Sequence, residues 1–302
     1  MMDELYCAAS YASALGGRAY GTLRCSGPRR AGTPVVALHG FTGSGADMEA
    51  LAAELSRALF AFDLPGHGRT PAAPDGEGPS FDAVVSELAS LCGDEAPWSP
   101  PAAADPPGAR GGPDAPGTAP ALLGYSMGGR LALALALATP QRFSALVLIS
   151  ASPGLAAPDA RRDRRLADAQ LAERIESIGA AAFADEWAQH PLIRSQVRTP
   201  EPFRTAMTAR RAANDARGLA ASLRGCGLGQ MTPLHDRLPA LTLPVLLLTG
   251  AEDPRYGAEA RAMLERLPRA RHVTISDAGH APHLEAPRRT AEAIERFLRA
   301  LP

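Results

Sequence analysis

Gly124-Tyr125-Ser126-Met127-Gly128 sets a serine between two glycines. The apolar residues 121–123 lead in, and a helix-forming run, residues 130–138, leads out. A strand that turns sharply into a helix lifts a serine hydroxyl above the edge of a sheet, and flanking glycines give the backbone room to turn. Alone, the pattern also fits an ordinary glycine-rich turn. A serine hydroxyl is a poor nucleophile or base unless a histidine takes its proton, and an acid usually holds that histidine. Two later residues supply these partners in the order serine, acid, histidine. Asp253 lies in Gly250-Ala251-Glu252-Asp253 after the apolar residues 245–248, and His280 lies in Ala278-Gly279-His280 after residues 273–275. Glu252 is the neighbouring acid. Asp277 shares a loop with His280 but sits poorly to orient its ring, and His283 is compatible with a surface position.

The backbone N–H groups of Met127 and Phe41 are the expected oxyanion donors. Met127 follows the serine, and Phe41 lies in His39-Gly40-Phe41-Thr42-Gly43-Ser44-Gly45 after an earlier apolar run. His39 fits a brace for that loop better than a chemical role. Arg130 comes four residues after Ser126, one helical turn on, where it shares the face of the serine. Further along, Arg161, Arg164 and Asp168 fall on one helical face, Trp187 follows an apolar-periodic stretch, and Arg210 and Arg211 are adjacent. Each arginine singly reads as solvated. Several together over a serine site read as an anion pocket, for a substrate with more than one carboxylate. The chain has no lysine, so all 31 basic residues are arginines. Compositional bias accounts for that, since alanine, glycine and proline also abound. Its chemical consequence is a supply of planar forks that bind carboxylates bidentately.

The elements that must position these residues follow from periodicity. Residues 35–38, 60–62, 121–123, 145–149, 245–248 and 273–275 are short buried-strand patterns, with strand-like pieces around residues 18–24. Helical spacing appears from about Asp47 through Met48, Leu51, Leu55 and Leu59, and over residues 81–92, 258–267 and 287–298. Strands alternating with helices predict a mostly parallel sheet with helices on both faces. In such sheets sites form beyond the carboxyl ends of strands, where Ser126, Asp253 and His280 all fall. Residues 155–238 break the alternation. They are helical, arginine-rich and free of strand patterns, and are expected to form a helical lid inserted into a core of residues 1–154 and 239–302. Residues 97–120, dense in proline, glycine and alanine, read as a flexible loop.

With 46% hydrophobic residues the 302-residue chain can bury a large core. Its net charge of −1 creates no global field for nucleic acid or an anionic membrane. No apolar run approaches the ~20 residues that span a bilayer. The first residues, Met1-Met2-Asp3-Glu4, lack the layout of a signal peptide. Four cysteines without metal-ligand spacing suggest neither a zinc site nor a disulfide framework, so a cytoplasmic protein is expected.

Several segments together resemble a known family. They are Leu38-His39-Gly40-Phe41-Thr42-Gly43-Ser44, Asp63-Leu64-Pro65-Gly66-His67-Gly68, Gly124-Tyr125-Ser126-Met127-Gly128-Gly129-Arg130, Ser152-Pro153-Gly154-Leu155, the block from Gly218 to Gly225, and the block from Ala278 to Glu285. Over about residues 34–300 the chain is similar to the α/β-hydrolase-fold synthases that make 2-succinyl-6-hydroxy-2,4-cyclohexadiene-1-carboxylate in menaquinone biosynthesis. The first and last segments are shared by many α/β hydrolases, and the arginine after the elbow and the lid segments are more specific. The resemblance implies an α/β-hydrolase fold and a lyase that eliminates pyruvate from a 5-enolpyruvoyl precursor, without metal or organic cofactor. It implies Ser126, Asp253 and His280 as the triad, Phe41 and Met127 as the oxyanion hole, and Tyr125, Arg130, Arg164, Trp187 and Arg211 lining an anionic pocket, with His39 beside them. Arg210 is the alternative to Arg211. Arg255-Tyr256 stands where the family often has Lys-Phe, which keeps the charge and the aromatic ring. A carboxylesterase or C–C bond hydrolase with a nucleophilic serine is the competing expectation, and a non-catalytic binding protein on the same fold is a third.

Overall fold

The computed structural model of the chain describes residues 5–12, 18–25, 32–72, 76–93 and 119–301. Eight strands form one sheet: β1 (Leu5–Ala12), β2 (Arg18–Cys25), β3 (Val35–Leu38), β4 (Leu59–Asp63), β5 (Ala121–Tyr125), β6 (Ala145–Ile149), β7 (Val245–Gly250) and β8 (Ala270–Ile275). Their spatial order is β1-β2-β4-β3-β5-β6-β7-β8. β2 pairs antiparallel with β1 and β4, and the six strands from β4 to β8 run parallel.

Strands β3 to β7 are buried along their whole length, as strands covered on both faces must be. Alternate residues divide between two cores, because successive strand side chains point to opposite faces. Val36, Leu38, Phe60, Phe62, Leu122 and Leu148 pack with α2 (Phe81–Leu91) and α3 (Met127–Ala138). Val35, Ala37, Ala61, Leu123 and Ile149 pack with α1 (Glu49–Glu54) and α9 (Pro287–Arg299). The Ser80 side chain starts α2 by accepting the Ala83 N–H at 3.3 Å, an N-cap that replaces a missing helical acceptor.

The helix expected from Asp47 to Leu59 is shorter. A 3-10 turn, Gly45–Met48, leads into α1, which ends at Glu54. Leu55 is extended, and Leu59 opens β4. The i, i+4 spacing arose because Leu55 and Leu59 are both buried, one in a connection and one in a strand. Of the expected loop at 97–120, residues 97–118 lie outside the described ones.

Between β6 and β7 the chain is helical. It runs through α4 (Pro158–Ala188), a 3-10 turn (Arg194–Arg198), α5 (Phe203–Ala212), α6 (Ala216–Cys226) and a second 3-10 turn (His235–Ala240). α4 breaks at Gly179, whose φ of 80° is one that glycine adopts without steric cost. Ala172, Ile175 and Phe183 of α4 pack on Leu219, Ala220 and Leu223 of α6, and Phe41 of the core packs against this cluster. The last elements are α7 (Pro254–Leu264), the one-turn α8 (Pro282–Glu285) and α9. No helix among the described residues is long and apolar enough to cross a membrane.

Candidate active site

Ser126 joins β5 to α3 with φ 51° and ψ −109°, a conformation that costs a non-glycine residue energy. Its N–H donates to the Ile149 carbonyl at 2.9 Å, which ties the elbow to β6. Gly128 is required by close approach, since a Cβ there would collide with the backbone oxygens of Leu38 and His39. The Gly128 N–H instead donates to the His39 carbonyl at 3.1 Å. Neither the Phe41 nor the Met127 N–H has an acceptor among the described residues.

The carboxyl ends of β5, β7 and β8 bring three side chains together. His280 Nε2 lies 3.1 Å from Ser126 Oγ, and His280 Nδ1 lies 2.7 Å from Asp253 Oδ2. The other Asp253 oxygen accepts the Tyr256 N–H at 3.1 Å, capping α7. His280 is 2% exposed and Asp253 6%, so this relay is shielded from competing water. The alternatives lie elsewhere. Glu252 pairs with Arg198 at 2.8 Å, and Asp277 pairs with Arg289 at 2.6 Å on the surface.

Glu285 holds the His280 loop from beneath. Its Oε2 accepts the Gly279 N–H at 2.7 Å and its Oε1 accepts the Ala281 N–H at 3.1 Å, so the residues before and after His280 are both held. Ser195 Oγ and Arg198 Nη2 each donate to the same carboxylate at 2.9 Å. Arg198 also reaches Glu252, next to Asp253. The helical segment thus contacts the support of His280 and the residue that precedes Asp253. Glu285 falls within the Ala278–Glu285 motif, but its role is not legible there because both partners from the helical segment are distant in the chain.

A cleft with about 450 Å³ of empty space, open to solvent, is lined by Ser126, His280, Phe41, Tyr125, Trp187 and Arg211, with His39 among its other residues. Arg211 and Arg210 part company. Arg210 pairs with Asp47 at 2.8 Å, whereas Arg211 reaches the same carboxylate only at 3.9 Å through Nη2 and lines the cleft, its Nε without a partner among the described residues. His39 accepts the Leu64 N–H at Nε2 (3.0 Å), so Nδ1 carries the proton and donates to the Gly40 carbonyl at 2.8 Å. Both ring nitrogens are used, burial lowers its pKa, and His39 braces the loop. His283 departs from the surface expectation: it is fully buried, its ring 4.4 Å from that of Tyr125. Pro282 and Leu284 on either side of it are the only local sign of that burial.

Arg130 and Arg164 do not line this cleft. Arg130 is buried, with one long contact to the Cys226 carbonyl at 3.4 Å and no carboxylate partner among the described residues. Desolvation lowers its pKa, opposed by nearby Cys226 and Tyr256. Arg164 pairs with the buried Asp168 at 2.8 Å, while Arg161 donates to the Leu155 and Ala156 carbonyls. Tyr256 connects the two sides. Its ring lies 4.5 Å from that of His280, and burial raises its pKa while Arg130 and Arg164 lower it. The sequence reading kept the aromatic character of Tyr256 without locating its contact with the catalytic histidine.

The profile of the alpha/beta hydrolase family matches residues 35–293. The chain is 36% identical over 268 residues to a Bacillus subtilis (strain 168) protein named as a candidate 2-succinyl-6-hydroxy-2,4-cyclohexadiene-1-carboxylate synthase, covering 88% of this chain and 90% of that one. It is 30% identical over 277 residues to the synthase of that name from Salmonella newport (strain SL254), covering 90% and 96%. Among solved structures it is similar to MenH from S. aureus, with a TM-score of 0.77, 26% identity, and 92% and 97% of the two chains covered. It is also similar to a thermophilic esterase from Thermogutta terrifontis, described as malate bound, with a TM-score of 0.73, 26% identity, and 98% and 99% covered.

Proposed function

Because the chain belongs to the alpha/beta hydrolase family, and within it to the family of 2-succinyl-6-hydroxy-2,4-cyclohexadiene-1-carboxylate synthases, we propose that it is a lyase of menaquinone biosynthesis. It eliminates pyruvate from 2-succinyl-5-enolpyruvoyl-6-hydroxy-3-cyclohexene-1-carboxylate. The observation that carries the reading is a serine relay with two arginines near it, one buried without a carboxylate partner among the described residues and the other touching a carboxylate, Asp47, only at 3.9 Å through Nη2. Arg211 lines the cleft with Nε unpartnered, and Arg130 is buried one turn past the serine. An ester hydrolase has no need of such cations, whereas a substrate with three carboxylates does.

The chemistry follows from the substrate's bonds. The hydrogen on ring carbon 2 is acidified by the succinyl ketone. Ser126, its own proton passed to His280, takes that hydrogen, and Asp253 steadies the imidazolium. The unpartnered Phe41 and Met127 N–H groups receive the charge that develops on the ketone oxygen. The electron pair forms the C2=C3 bond, the C3=C4 pair shifts to C4=C5, and the C5–O bond breaks. The leaving enolpyruvate takes a proton on carbon and becomes pyruvate. No bond to Ser126 forms. Residues 155–238 act as a lid that holds the carboxylates and excludes water.

The fit to the esterase structure and the ordinary triad distances favour a second reading, a carboxylesterase or C–C bond hydrolase with Ser126 as covalent nucleophile. One experiment separates the two. The chain is incubated with the enolpyruvoyl precursor and pyruvate is followed by coupled lactate dehydrogenase, beside p-nitrophenyl ester hydrolysis and labelling by a serine-reactive phosphonate. Rapid pyruvate release with slow ester turnover is expected. Fast ester hydrolysis and labelling without pyruvate would sink the lyase assignment.

A further inference from the structure

One wall of the cleft carries a concentration of buried polar atoms without partners. Both ring nitrogens of His283, Gln196 Oε1, Arg211 Nε and Thr42 Oγ1 find no hydrogen-bond partner among the described residues, and all four residues line the cleft beside Ser126. His283, Gln196 and Thr42 are at most 4% exposed, and the Arg211 side chain is 11% exposed. Buried polar groups are almost always satisfied, so a cluster of orphans in a cleft marks where a ligand completes the bonding. Tyr125 organises them. Its ring faces that of His283, its hydroxyl contacts Gln196 Nε2 at 3.3 Å, and the Arg211 charge is felt at both Tyr125 and His283.

The orphans differ in kind, and that decides the ligand. Arg211 Nε can only donate. A neutral imidazole presents one donor and one acceptor in either tautomer. His283 is kept neutral by burial and by the neighbouring His280 and Arg211, with its pKa pushed down to about 3. A carboxylate alone satisfies the donors but sets its lone pairs against the acceptor nitrogen of His283. A ligand group that completes this wall must bring an anionic acceptor and, one or two bonds away, a hydroxyl donor.

We propose that His283, Gln196 and Arg211, walled by Tyr125, form a subsite that recognises a hydroxyl and a carboxylate on adjacent ring carbons. This rests on the reaction proposed above for its substrate. There the matching edge is C6, which bears the hydroxyl, and C1, which bears the carboxylate. Anchoring that edge places the reacting carbons C2 and C5 on either side of it. His283 and Gln196 are specificity-determining residues in this arrangement, since neither contributes charge and both read the hydroxyl.

The test is calorimetric binding of three probes to the full chain: cis- and trans-2-hydroxycyclohexane-1-carboxylate, and cyclohexanecarboxylate. One hydroxy acid is expected to bind about tenfold tighter than the acid without a hydroxyl, the effect of roughly one buried hydrogen bond. His283→Phe and Gln196→Leu should each collapse that ratio towards one with little change for cyclohexanecarboxylate. Arg211→Met should weaken all three. Gln196→Leu carries the test if His283→Phe does not fold. Equal binding of the three probes to the wild type, or discrimination that survives in a folded variant of His283 or Gln196, overturns the subsite. Discrimination without pyruvate release from the precursor supports the subsite and overturns the reaction. Pyruvate release without discrimination overturns the subsite alone.

Discussion

Replacing Glu285 by glutamine exchanges one oxygen for an NH₂ group, and the hydrogen-bond pattern sets the cost. All four groups on the carboxylate are donors: the Gly279 and Ala281 N–H groups, Ser195 Oγ and Arg198 Nη2. A glutamine must turn its NH₂ to one side. Facing Gly279 and Arg198, it loses two bonds to groups that cannot accept. Facing Ser195 and Ala281, it loses one, because the serine hydroxyl can rotate to become the acceptor. The second orientation is adopted, and the Ala281 N–H is left buried and unpaired. That costs about 1–3 kcal/mol, with up to about 1 kcal/mol more for the weakened Arg198 contact. A loss centred near 2 kcal/mol lowers Tm by about 4–6 °C for a chain of this size. Glu285→Ala orphans both amides and should cost roughly twice as much. The assay is thermal unfolding by calorimetry, with the strongly downfield Nδ1 proton of His280, shared with Asp253, as a spectroscopic readout. The glutamine variant should lower kcat by about tenfold with a broadened or lost proton signal, since misplacement of a catalytic group by a fraction of an ångström is costly. A variant that melts with the wild type and keeps the signal would refute the assignment of Glu285 as the support of the histidine loop.

Stability should fall as pH drops from 6.5 towards 3. Burial pushes His67 and His283 each down to about 3, with the neighbouring histidine adding to the effect. In that window the unfolded chain binds protons the folded chain refuses. Stability is therefore full above the unfolded value and is lost by about 2–3 kcal/mol per pH unit for the two together. Urea midpoints measured against pH should show this, and His283→Gln should remove about half the slope; an unchanged slope would mean that His283 does not contribute. Ser126→Ala should cost orders of magnitude in kcat with Tm and substrate affinity nearly unchanged. Ser126→Gly should raise Tm by a degree or more, roughly what relief of φ 51° provides; a lower Tm would contradict the strain. Arg130→Met should raise Tm, since a buried charge without a carboxylate partner costs about 1–3 kcal/mol, and should also raise KM for the precursor. A stabilised variant with unchanged KM would remove Arg130 from substrate binding.

The legible part of the site was the part written locally. The elbow, the glycine-rich loop after β3 and the residues just past β7 and β8 each declare themselves within a few positions, because a strand end and a tight turn are short-range features. The parallel sheet was readable for the same reason, from buried runs bounded by turns. Leu59 shows the limit: its spacing from Leu55 mimics a helix, and only the pairing of β4 with β2 and β3 reveals a strand. His283, Gln196 and Glu285 were beyond local reading. Their positions depend on the contact of the 3-10 turn at Arg194–Arg198 with α8, about ninety residues apart in the chain. Arg210 and Arg211 are adjacent in sequence and both reach Asp47, but Arg210 is held closely by it and only Arg211 lines the cleft, a difference set by a residue in another element.

Arg130 joins folding to occupancy. A cation buried without an anion of its own leaves the empty protein short of its full stability. A carboxylate ligand that binds only the folded protein adds RT ln(1 + [L]/Kd), about 2.7 kcal/mol at a hundredfold excess over Kd. The folded fraction, and with it resistance to proteases that cut open chains, then follows the supply of the ligand. A cell starved of the precursor would hold less of this protein through turnover alone, with no change in its synthesis. The same arithmetic makes limited proteolysis a means of finding the natural ligand among candidate polycarboxylates before any reaction has been observed.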